Sequence, residues 1–198
     1  MTVDMLKNPE MPISHDEHLD RLITRAHQDP NAFEGVYRHY YDMVFRYCVH
    51  RLFNRERAED ITSQVFLKVI GKINTFKGGH EQFRYWLYRI ATNEINDTLR
   101  KRARQTSLLK RVRDWRSSQV IDCPSSTLSG SEKISHLAKA YATLGPTHQA
   151  VITLRFFENL KTDKIAEILG TRPSTVRCQI TRALAKLRQH LGPLWQES

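Results

Sequence analysis

No apolar run in these 198 residues approaches the roughly 20 that a membrane-spanning helix requires, and the N-terminus has no apolar core of the kind a secretory signal carries. The expectation is a soluble, cytoplasmic protein without membrane insertion. Cysteine is scarce too. Cys48, Cys123 and Cys178 are an odd number with no Cys-x-x-Cys or Cys/His ligand spacing, so neither a disulfide framework nor a metal site is expected. Acidic residues are the third shortage: 21 stand against 31 Lys and Arg, a net charge of +10 that attracts polyanions. Also missing are a Gly-rich phosphate loop and any pairing of an acid with a base. No cofactor and no catalytic reaction are expected.

Strand-like alternation is nearly absent, whereas apolar residues recur at helical spacing almost throughout. The reading is an all-α protein of two small helical domains joined by a flexible linker. Residues 1–14, with Pro9 and Pro12, form a flexible tail. A first domain spans 15–104. Its stripes are Phe33, Tyr37, Tyr40, Val44, Cys48 and Leu52; then, after a polar break at Asn54 to Arg57, Ile61, Val65, Val69 and Ile73; then Phe83, Trp86, Leu87, Ile90 and Leu99. Residues 105–131 lose the pattern and become rich in Ser, with Pro124 and Gly130, which marks a linker. Periodicity returns over 132–194 as four helices.

Within that second domain, "ILGTRPSTVRCQITRAL" (Ile168 to Leu184) reads as a stop, a restart and a basic helix. Gly170 can take the left-handed conformation that ends a helix, Thr171 is a candidate N-cap, and Pro173 fits a first turn, where its missing N–H costs nothing. Ala166 is small where two helices should approach. Lys161 is a poor cap for the first of them. This is the pattern of a helix-turn-helix, whose second helix places its start in the DNA major groove. Arg177 can fork onto guanine and Gln179 onto adenine, while Arg182, Lys186 and Arg188 suit phosphate.

The first domain ends on a second basic surface. "FRYWLYRIATNEINDTLRKRAR", from Phe83 to Arg104, interleaves aromatics with cations, a combination suited to unpaired bases. Trp86 shares a face with Phe83 and Ile90 and is assigned to the core. Tyr85, Tyr88 and Arg89 are the expected exposed candidates. A stand-alone repressor remains an alternative on the helix-turn-helix alone, although heptads and a ligand loop are lacking.

With "AEDITSQVFLKV" (Ala58 to Val69), the aromatic-basic segment and "IAEILGTRPSTVRCQITRALAKLR" (Ile165 to Arg188) in this order, the chain resembles the extracytoplasmic-function group of bacterial sigma factors. The resemblance implies a region 2 type domain at 15–104 and a region 4 type domain at 132–194. It implies as partners the core RNA polymerase, through its β′ clamp helices and β flap, promoter DNA, and an anti-sigma factor. Asp60, Ser63, Gln64 and Lys68 would then face the clamp. His80, Glu81 and Gln82, in a loop running from Lys77 to Gln82, would capture a base of the −10 element. Tyr85, Tyr88, Arg89 and Asn93 would assist with the separated strand, and Arg100, Lys101, Arg102 and Arg104 with phosphates. The −35 element would be met by Thr171, Arg172, Ser174 and Thr175 at the turn and by Arg177, Cys178, Gln179, Thr181, Arg182 and Lys186 along the helix.

Overall fold

The structure is a computed structural model that describes residues 15–114 and 132–191. Among these residues there are eight α-helices and no strand. The expected tail and most of the expected linker lie outside the described residues.

α1 (His15–Gln28) opens with Asp16 and Glu17 and closes with Arg25 and His27, charges that complement the helix dipole at both ends. The sequence reading passed over this helix, although Leu19, Ile23 and Ala26, all buried, step by four and three. After a 3₁₀ turn at Pro30–Ala32 comes α2 (Phe33–Leu52), which ends with Phe53 in the left-handed conformation at φ 47°. α3 (Arg55–Ile70) starts at once, because Asn54 Oδ1 accepts the Arg57 N–H at 2.8 Å as an N-cap. The polar break expected over Asn54 to Arg57 is therefore only the cap itself. α4 (His80–Asp114) is a single long helix that carries the expected linker's first residues.

Packing of α1–α4 buries Val36, Val44, Tyr47, Val65, Val69, Phe83, Leu87 and Ile95. Fully burying an aliphatic or aromatic side chain of this kind contributes roughly 1.5–3 kcal/mol. The stripe of α2 is rotated from the expected one. Tyr37 is exposed and Leu52 only half-buried, while Val36, Tyr47 and Arg51 are buried. Trp86 is half-buried against Phe76 and Phe83, with ring centroids 5.2 and 5.5 Å away.

The second module comprises α5 (Glu132–Ala142), α6 (Pro146–Ile152), α7 (Thr162–Leu169) and α8 (Pro173–Leu191). α6 runs on into a π-helical turn, Thr153–Phe157, followed by Asn159 at φ 52°. Tyr141 holds this widened segment: its hydroxyl lies 2.9 Å from Gln149 O and 2.5 Å from Thr153 Oγ1. Ile165, Ile168, Val176, Ala183 and Leu187 close the core. The two modules pack on each other, and their buried apolar residues form one contiguous cluster. No helix among the described residues is long and apolar enough to cross a membrane.

Candidate nucleic-acid interface

α7 and α8 meet at Gly170, whose φ of 62° lies where a side chain would strain the backbone. The Gly170 N–H reaches Glu167 O at 3.3 Å and the Thr171 N–H reaches Ala166 O at 2.9 Å, closing α7 in a Schellman-like turn. α8 begins at Pro173, later than a Thr171 cap would place it, so Arg172 stands just before the helix. Lys161 precedes α7 without a side-chain capping bond.

Along α8, Val176, Ala183 and Leu187 are buried, which leaves Arg172, Ser174, Thr175, Arg177, Cys178, Thr181, Arg182 and Lys186 exposed. The face is cationic enough to act on a neighbour. His148 is held below the usual histidine range, first by burial and then by the charges of Lys186 and Arg182. Gln179 departs from the expected outward position. It is half-buried, its Oε1 has no protein partner, and with Thr171 it lines a cleft of about 310 Å³ shared with Arg89, Asn93 and Asn96 of α4.

That cleft belongs to the contact between the modules, which alters the reading of α4. Tyr85 and Tyr88, expected to be exposed, are buried, with only 6% and 3% of their surface exposed. Tyr88 donates its hydroxyl to Glu158 Oε2 at 2.6 Å, and Lys164 Nζ stands 5.0 Å from the centre of the Tyr85 ring. Arg89 is exposed at its edge but committed: Nε donates to Ile168 O at 3.3 Å and Nη2 to Glu167 O at 3.4 Å. It thereby satisfies carbonyls at the C-terminal end of α7. Amphipathic side chains bury their rings when a polar partner meets the tip, and the second module supplies those partners.

A deeper pin lies beside this contact. Arg51 is 2% exposed and joins three elements, donating to Asn96 Oδ1 at 2.9 Å, Pro146 O at 3.1 Å and Gln149 Oε1 at 3.4 Å. All three acceptors are neutral. Sequence reasoning missed Arg51 because a charged residue one position from a stripe ordinarily reads as solvated.

Asn93, Arg100, Lys101, Arg102 and Arg104 of α4 are exposed, with Arg100 paired to Asp97 at 2.5 Å. At the other end, His80, Glu81 and Gln82 form the first turn of the helix and not a loop as expected, because Asp20 and the Gln82 side chain satisfy N–H groups there. Gly78, at φ 142°, makes the preceding bend. On α3, Asp60, Ser63, Gln64 and Lys68 are all exposed, although Ser63 Oγ bonds back to Glu59 O at 3.0 Å and Lys68 pairs with Glu94 of α4. Leu67 stands among them at 70% exposure, and Ile70 and Tyr37 are exposed as well. Leu67 was also missed; a Leu outside the apolar stripe of its helix was the available signal.

These two surfaces coincide with two family matches. Residues 36–105 match the model of sigma-70 region 2, and residues 137–187 that of sigma-70 region 4. The chain belongs to the extracytoplasmic-function group of bacterial RNA polymerase sigma factors. It is 30% identical over 165 residues to the RNA polymerase sigma factor YlaC of Bacillus subtilis, an alignment covering 83% of this chain and 94% of that one. To the ECF RNA polymerase sigma factor SigW of the same organism it is 29% identical, with 84% and 92% covered. Among solved structures, the sigma factor RpoE of Bartonella quintana, crystallised with the anti-sigma factor NepR, superposes with a TM-score of 0.61 at 21% identity over 80% of this chain and 96% of that one. This last likeness concerns the fold. Within the sigma factor, the region 2 match begins after α1, and the region 4 match holds all of α7 and α8 as far as Leu187.

Proposed function

We propose that this sigma factor binds core RNA polymerase through the α3 face, reads the −10 element with the start and outer side of α4, and reads the −35 element with the start of α8. The supporting observation is the bent pair at Gly170, which leaves the polar start of α8 exposed while its apolar side is buried. Arg177 stands there as a base reader, with Arg182 and Lys186 as phosphate contacts. The polymerase supplies the chemistry of transcription, and the sigma factor acts without a catalytic centre, cofactor or metal, in the cytoplasm. It places the enzyme at a restricted promoter set and helps open the −10 region.

On α3, Leu67 is the apolar centre of the polymerase-facing surface, ringed by Asp60, Ser63, Gln64 and Lys68, with the β′ clamp helices as its counterpart. The second module is the part assigned to the β flap. In the closed arrangement seen here the two readers differ in readiness. The α8 face is free apart from Gln179, whereas Tyr85 and Tyr88 are buried at the contact with Lys164 of α7 and with Glu158 just after the π-turn, and Arg89 is held by carbonyls of α7. Engagement of the −10 strand therefore requires the modules to part, and docking on polymerase holds them apart over neighbouring promoter segments. An anti-sigma factor, as a partner, would act on the same equilibrium.

The testing experiment is transcription by purified core polymerase from a promoter library. A defined subset of templates should give transcripts only when this chain is added. A stand-alone repressor would instead bind duplex operators tightly without polymerase, so a gel shift with and without core enzyme separates the two.

A further inference from the structure

We propose that Asp20, on α1, is a positioning residue for the −10-reading start of α4, and that His80 serves this brace instead of reading a base. The inference rests on the proposed reading of Glu81 and Gln82 and concerns a helix that lies before the matched region 2 segment.

The first N–H groups of a helix have no partner within it, and their orientation is set by whatever accepts from them. In α4 the acceptor comes from sixty residues earlier in the chain. Asp20 Oδ1 accepts the His80 backbone N–H at 2.6 Å and lies 3.3 Å from His80 Nδ1. Asp16 Oδ1 stands 3.4 Å from the other ring nitrogen, Nε2. Both edges of the imidazole thus meet α1, and its side chain is only 23% exposed. The preceding N–H, of Gly79, donates to Gln82 Oε1 at 3.2 Å. Gln82 keeps its amide NH₂ for an outside acceptor, and Glu81 is exposed beside it.

The glycine at 79 fits this purpose. A Cβ there would stand 3.2 Å from Asp20 Oδ1 and 3.4 Å from Gln82 Oε1, crowding both acceptors. A bond from an N–H to a carboxylate is stronger than one to a neutral acceptor, and discrimination between bases depends on how firmly the readers are held. α1, packed on α2 and α4 through Leu19, Ile23 and Ala26, is the rigid support.

The test uses holoenzyme assembled with the full chain and a promoter library randomised at both elements. Losing a capping acceptor typically corresponds to about a fivefold change in an equilibrium. Asp20→Ala should flatten base preference by about that factor at the positions where Glu81→Ala or Gln82→Ala acts, leaving the −35 profile and core affinity unchanged. Asp20→Asn, which keeps an oxygen acceptor for the His80 N–H, should recover most of the preference. Should Asp20→Ala fail to fold, Asp20→Ser, whose shorter side chain withdraws the acceptor while remaining polar, is read in the same way. An unaltered −10 profile in Asp20→Ala, with Glu81→Ala or Gln82→Ala still changing it, overturns the brace while leaving the base-reading assignment standing. If neither Glu81→Ala nor Gln82→Ala changes the −10 profile, the assignment itself fails and the brace with it. Equal losses at −10 and −35 mean general destabilisation, and also overturn the proposal.

Discussion

Tyr88 and Glu158, seventy residues apart, meet across the two modules with the Tyr88 hydroxyl 2.6 Å from Glu158 Oε2. The Glu158 side chain is only 3% exposed. Burial, and next the charge of Glu158, hold the Tyr88 hydroxyl protonated well above the usual tyrosine range. Tyr88→Phe leaves a buried carboxylate oxygen without this donor, at a cost of about 2 kcal/mol, or roughly thirtyfold in the balance between closed and open forms. Small-angle scattering of the free chain should show a larger radius for the variant than for the parent.

Alkaline pH should loosen the first module. Burial raises Tyr40 and Tyr47 to about 12 from an ordinary 10.0, and Cys48 to about 12 from 9.0. Folding favours the protonated form of each. Their contribution is therefore fully present below the ordinary values and is lost as pH rises through about 12. Denaturant midpoints should hold steady up to the lower of these values and fall beyond it, with phenolate absorbance appearing alongside.

The start of α8 separates reading from anchoring. Arg177→Ala should cost about 1–3 kcal/mol at one −35 position and relax the preference there. Lys186→Ala should weaken binding across all sequences and reduce the salt slope by about 1. Both residues are exposed, so neither change should alter the unfolding temperature appreciably.

Leu67→Glu tests the α3 face. An exposed leucine contributes little to folding, whereas a charge in the centre of an apolar contact is costly. Affinity for core polymerase should fall about tenfold or more, with thermal stability unchanged.

The helix-turn-helix was legible because its signals are local: Gly170 at the turn, Pro173 at the restart, and Val176, Ile180, Leu184, Leu187 and Leu191 at helical spacing, of which Val176 and Leu187 are buried and the other three half-buried. All-helical architecture followed from periodicity for the same reason. What the sequence concealed are features decided by the other module. Tyr85 and Tyr88 lie outside the strongest stripe of their helix, and their outer sides are met by Lys164 of α7 and by Glu158, just after the π-turn. Arg51 is buried because Pro146, Gln149 and Asn96 supply neutral acceptors from two other helices. The π-turn depends on Tyr141, a residue outside its own span. α1 is a different case, since Leu19, Ile23 and Ala26 carried a readable pattern in a short segment flanked by prolines.

The separation of the two modules on polymerase is measured most directly by a distance between a label on Cys178, which is exposed on α8, and one on an Asp42→Cys variant of α2, with Cys123 replaced by Ser and Cys48 left buried. The free chain should give a single short distance, and core polymerase should lengthen it before any promoter is added. An unchanged distance in a complex that initiates transcription would contradict the account.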